Sequence, residues 1–227
     1  MPLVINTICI VIILMAIYCL AGRKESRGRR INMASMLVSL IYCFLVTVGE
    51  QLCMDYVPQL LIIDRMVSDF VFGILFIFYY HYIIYVTGFR IDRKITIGFM
   101  SAYAFFLLLL LTDSSHHCFY RKLDVRTGGN GYFKFQIQHG IGFYLFYAVL
   151  LLTSFFCFYL AWKYYQSTKD NIGQMRKKRA HILLQVSVLP LMIAILYLFE
   201  GKSIYSPVCI GIGLSALLLI HALNHFN

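Results

Sequence analysis

Seven nearly unbroken apolar stretches, each about twenty positions long, alternate with polar links along the chain. They run from about Leu3 to Leu20, Asn32 to Cys53, Leu60 to Tyr85, Ile95 to Leu111, Gly140 to Trp162, Ala180 to Phe199 and Pro207 to Phe226. At 1.5 Å per residue, a helix of that length matches a hydrocarbon core about 30 Å thick. The runs lack the period-two alternation of a barrel strand, and only helices or closed barrels satisfy the backbone inside lipid. The pattern therefore predicts an all-α integral membrane protein, a bundle of seven transmembrane helices forming one domain over residues 1–227. The third run is interrupted early by Asp64, Arg65 and Asp69, which makes it the one most open to a re-entrant path. No internal repeat of the transporter kind is visible.

Composition supports the membrane assignment: 60% of the residues are hydrophobic and 13% charged, whereas a soluble domain carries about a quarter charged residues. The net charge of +10 would suggest a nucleic-acid partner in a soluble protein. Here the placement of the charge argues otherwise. Fourteen of the twenty Lys and Arg residues lie in the first, third and fifth links, around Arg23–Arg30, Arg90–Lys94 and Lys163–Arg179. Alternating spans put those links on one side, which the positive-inside rule makes cytoplasmic. The N-terminus is then outside and the C-terminus cytoplasmic. Because positive charge follows the first run and does not precede it, that run reads as a retained anchor and not a cleaved signal peptide. Most of the seven cysteines lie in apolar runs as small hydrophobes, and Cys53 and Cys118 are the one pair placed for an outer disulfide.

The longest polar link, Thr112 to Gln138, holds β-prone residues on either side of Thr127-Gly128-Gly129-Asn130-Gly131, a hairpin signal that would put a lid on the outer mouth. Asp113, His116, His117, Cys118 and His139 gather there. These are zinc-type ligands without a standard zinc spacing, so they read as polar residues at the membrane surface. His221 and His225, one turn apart, read as interfacial histidines. Ionisable residues inside spans mark functional candidates. Glu50 lies near the outer end of the second span. Asp64, Arg65 and Asp69 lie near the outer end of the third, with Arg65 and Asp69 spaced to pair along one helix face. The cluster either recognises a ligand or locks helices two and three. The Tyr79-Tyr80-His81-Tyr82 run reads as an interfacial aromatic belt. Pro190 should kink the sixth span and free a carbonyl, and Gly211 and Ser215 permit close helix contact.

From His116 to Leu223 several features occur in a telling order. Thr112-Asp113-Ser114-Ser115-His116-His117-Cys118-Phe119-Tyr120 follows the fourth span, and an aromatic-rich helix contains Gly142-Phe143-Tyr144-Leu145-Phe146-Tyr147. A basic link leads through Arg176-Lys177-Lys178-Arg179-Ala180-His181-Ile182-Leu183-Leu184 to Leu189-Pro190, and Ser206-Pro207 opens a last helix rich in small residues. This order resembles the seven-transmembrane N-terminal sensor region of bacterial histidine kinases and GGDEF diguanylate cyclases. The first half of the chain agrees with that family in helix count and length only. The resemblance implies a bacterial plasma-membrane receptor that acts by a two-state shift on a dimeric cytoplasmic kinase or cyclase domain, present in cis or supplied in trans. Such domains usually follow the last helix, whereas this sequence stops at Asn227.

No nucleotide loop, Ser-His-Asp set, paired catalytic carboxylates or redox motif appears, so a catalytic role and a cofactor have no support in the sequence. The leading expectation is a sensory module with a small-molecule or lipid ligand, a pocket open to the outside, and Glu50, Asp64, Arg65, Asp69, His116 and His117 as pocket or lid residues. A small transporter using Pro190 and Gln185 is the alternative, and a membrane-embedded enzyme ranks third.

Overall fold

The polar links decide where each helix begins and ends. In the computed structural model, which describes residues 2–55, 58–127, 133–169, 174–197 and 207–225, α1 (Pro2–Ala21) runs out at the first basic link. Arg29 closes that end: its guanidinium donates to the carbonyls of Arg23 at 2.6 Å and Ala21 at 3.0 Å. Cationic donors suit a helix C-terminus, where carbonyls lack intrahelical partners. Three residues earlier, the Ser26 hydroxyl accepts the Arg29 N–H and caps the start of α2 (Arg27–Asp55). The helix α3 (Pro58–Thr87) opens on a proline and stops at Gly88, whose φ of +66° is left-handed. Its continuity removes the re-entrant path considered for the third run. Asp92 caps α4 (Arg93–Leu111) by accepting the Lys94 N–H.

A single turn, α5 (Asp113–His116), leads into β1 (Tyr120–Thr127) and β2 (Phe133–His139), which pair antiparallel as the expected hairpin. Then follow α6 (Ile141–Lys169), α7 (Gln174–Tyr197) and α8 (Pro207–His225). Among the described residues, five helices are long and apolar enough to cross a membrane, and α7 and α8 contribute the shorter apolar stretches Ala180–Ile193 and Val208–His221.

Outward-facing positions are apolar, among them Phe44, Leu108 and Leu152, whereas Ser39, Thr153, Ser154 and Ser187 are buried. Lipid tolerates no unpaired hydroxyl, and these side chains turn back onto the carbonyl one turn earlier in their own helix, at 2.7–2.9 Å. Helix packing follows the sequence α1–α2–α3–α6–α7–α8, and α8 returns to α1. Six helices thus close a ring, with α4 outside it against α3 and α6.

Candidate functional site

The two ends of the ring are built differently. They are named here the hairpin end and the basic end, after the links they carry. At the hairpin end, the buried Asp113 carboxylate accepts the backbone N–H groups of Phe119 at 2.6 Å and Tyr120 at 3.0 Å. His116 Nδ1 accepts the Cys118 N–H at 3.1 Å, and its Nε2 lies 3.0 Å from Thr112 Oγ1. An accepting Nδ1 assigns the proton to Nε2, which then donates to Thr112; the Thr112 hydroxyl donates to the Leu108 carbonyl at 2.9 Å. His117 is exposed and forms the left-handed end of α5 at φ 51°. Where β2 turns into α6, the Gly140 and Gly142 N–H groups donate to the carbonyls of Phe119 and Cys118, each at 2.9 Å. A Cβ at residue 140 would collide with the Cys118 carbonyl, so only glycine passes there. The Phe119 ring is fully buried against Phe143 and Phe146, and His139 stacks on Phe143 at 3.7 Å.

On α3, Arg65 grips Asp69 through two contacts, Nε to Oδ2 at 3.2 Å and a second guanidinium nitrogen to Oδ1 at 3.1 Å. Asp69 is buried, so the pair satisfies a charge that would be costly alone. The Asp64 carboxylate rests against Gly49 of α2, where a Cβ would displace it. The side chain of Glu50 lies outside the described residues, as does that of His225. The candidate residues thus fall into two groups: Asp64, Arg65 and Asp69 gather on α3, while His116 and His117 belong to the foot of the hairpin. Cys118, one of the two cysteines placed for an outer disulfide, carries a free thiol, and the side chain of Cys53 lies outside the described residues; the Cys118 carbonyl and N–H are used in pinning the hairpin.

Among the described residues, a cavity lies in the other half of the ring. It encloses about 330 Å³ between α2 and α3 on one side and α7 and α8 on the other. Phe72, Phe76, Pro190, Ile193 and Ile212 line its inner part, and Arg23, Asn32, Ser35 and Tyr82 line it toward the basic end. Its walls on α3 extend from Phe72 to Val86, about 20 Å along the helix axis at 1.5 Å per residue. Pro190 has no N–H for the Val186 carbonyl, and both residues face the cavity. One position on, the Ser187 carbonyl receives the Tyr79 hydroxyl of α3 at 3.4 Å, a contact that spans the ring. The Gly211 backbone of α8 packs against Ile193 of α7, as its small size permits.

The expected aromatic belt faces inward instead. Tyr80 is buried against Phe99 and Phe156, and Tyr79 and Tyr82 line the cavity. Gln185 is exposed and bonds His181 at 3.2 Å, outside the cavity wall that contains Pro190. Arg23 and Asn32 escaped notice because one counted only as an orienting charge and the other as the edge of an apolar run. A polar residue opening a hydrophobic segment, one turn from a basic link, was the available signal.

No curated protein and no solved structure matches this chain. A family model described as the N-terminal 7TM region of histidine kinase matches residues 4–227. That match takes in every helix of the ring, the hairpin, and both walls of the cavity, and the chain belongs to this family of membrane-embedded sensory regions of histidine kinases.

Proposed function

We propose that the chain is the input module of a bacterial plasma-membrane receptor, crossing the bilayer seven times with its N-terminus outside and its C-terminus in the cytoplasm. The observation that carries the reading is the family match over the whole ring, α8 included. The basic links at one end support the orientation. The module performs no reaction itself. It pairs with a second copy and relays its state through α8 to a histidine kinase domain in cis, with a cyclase domain as the alternative output. Glu50, Asp64, Arg65, Asp69, His116 and His117 form the outer lid and latch, so that a signal from outside meets a fixed end and moves a yielding one. The yielding part is the wall made by α7 and α8, where Pro190 weakens the backbone ladder.

The test uses the protein with its kinase domain in vesicles. Cysteines placed at Ile193 and Gly211, which touch across α7 and α8, are oxidised to lock that wall. Autophosphorylation is expected to become fixed at one level and to recover on reduction. Unchanged autophosphorylation in a fully cross-linked sample would remove α7 and α8 as the relay. A transporter is disfavoured because Gln185 points away from the cavity and Phe72, Phe76 and Ile193 close its inner part with apolar surface.

A further inference from the structure

The ring cavity has a graded lining, and the gradient says what fits it. Toward the basic end its wall includes Arg23, Asn32 and Tyr82, and the side chains of the last two interact with each other. Toward the middle of the bundle the wall becomes Phe72, Phe76 and Ile193. The hydroxyls nominally present deeper in are turned away: Ser39 donates to the Ser35 carbonyl at 2.9 Å and Ser215 to the Gly211 carbonyl at 2.9 Å. The deep part therefore offers a ligand no free donor from these serines. The cavity is also long and small. Its wall on α3 covers about 20 Å at 1.5 Å per residue, while its volume of about 330 Å³ lies at the low end for ligand sites. Ring-shaped and polyol ligands are poorly matched by such a shape, and a two-chain lipid exceeds it.

We propose that this cavity holds a single-chain anionic amphiphile, a long-chain carboxylate or alkyl phosphate. Its charged head lies at Arg23 and Asn32, and its hydrocarbon chain runs along α3 toward Pro190. Arg23 meets the head where the link between α1 and α2 concentrates positive charge, since Lys24, Arg27, Arg29 and Arg30 stand in the same link or the first turn of α2. The chain fills space between the α2–α3 wall and the α7–α8 wall. Occupancy consequently sets their separation, and this regulatory consequence rests on the sensory reading above, whereas the binding does not. The hairpin end has no part in this site.

The test is binding of tritiated palmitate to the full chain in nanodiscs of uncharged phosphatidylcholine. Saturable binding is expected, weakened at least tenfold by Ile193→Trp and by Ser39→Phe, which fill the cavity from opposite walls. Each is scored with its thermal unfolding, so that two independent variants guard against one that misfolds. Arg23→Gln is expected to weaken palmitate binding about tenfold and to leave methyl palmitate unaffected. Hexadecyl phosphate should compete as palmitate does; stronger competition by palmitoyl lysophosphatidic acid would assign the anion to a lipid headgroup, still within the proposed class. Equal competition by methyl palmitate would overturn the charged head, and wild-type binding in both folded cavity-filling variants would overturn the site. With the kinase domain attached, palmitate that binds without changing autophosphorylation would refute the sensory reading for this cavity while leaving the binding intact. Absence of saturable palmitate and hexadecyl phosphate binding, with the α7–α8 cross-link still controlling the kinase, would refute the amphiphile and spare the sensory reading.

Discussion

The hairpin end and the basic half of the ring solve opposite problems with similar residues. Both are rich in aromatics. At the hairpin end Phe119, Phe143 and Phe146 interlock with ring centroids 5.6–5.8 Å apart from Phe119, and a buried carboxylate ties two consecutive N–H groups over them. In the basic half Phe72, Phe76 and Tyr79 also touch in sequence along α3, yet their other faces border a cavity. Close packing on all sides allows one arrangement, whereas a wall with space behind it retains room to shift. A sensor needs both, because a signal moves one element only relative to another that stays in place.

That contrast fails if the two ends respond alike to the same damage. Phe119→Ala should cost the most, about 3–5 kcal/mol, because a fully enclosed ring leaves a void its neighbours cannot close. Denaturant unfolding in detergent measures it. Phe76→Ala, on the cavity wall, should fall at or below the bottom of that range, since part of its surface already lacks a partner; equal losses would erase the distinction. Asp113→Ala should follow at about 2–3 kcal/mol, because it strands two buried N–H groups. Hydrogen exchange at Phe119 and Tyr120 should accelerate with it, and unchanged protection would count against the tie. Filling the cavity with Ser39→Leu should shift stability by less than about 1 kcal/mol, in either direction, where the same added volume at the hairpin end would force strain. The smallest change is His117→Gly, expected to gain about 0.5 kcal/mol by relieving a left-handed backbone at φ 51°.

The hairpin was legible because glycines between β-prone runs are a local signal, and its two strands lie close in sequence. Arg65 with Asp69 was legible for the same reason, being one helical turn apart. The role of Asp113 was less so. With His116, His117, Cys118 and His139 it read as a polar residue at the membrane surface, and only the folded link shows its carboxylate pointed at N–H groups six and seven residues on. The cavity was hidden altogether. Tyr79, Asn32, Pro190 and Ser215 lie on four different helices, and no periodicity within one helix says which neighbour its face will meet. Pro190 was noticed as a weak point in α7 without any indication of what lay across from it.

By itself the sequence determined the membrane class, the positions of the helices and the side on which positive charge collects, because each depends on the length and composition of a continuous segment in lipid. The hairpin belongs with these, because its two strands are neighbours in sequence. Only the tertiary structure decided that six helices close into a ring with α4 outside, that Cys118 stays a thiol, and that the tyrosine run faces inward. In a bilayer the outer and inner faces of a helix are almost equally apolar, so the hydrophobic pattern that orients helices in water carries little information. Close contacts such as Gly211 against Ile193 and Asp64 against Gly49 settle the arrangement instead, and these exist only once the partners have met.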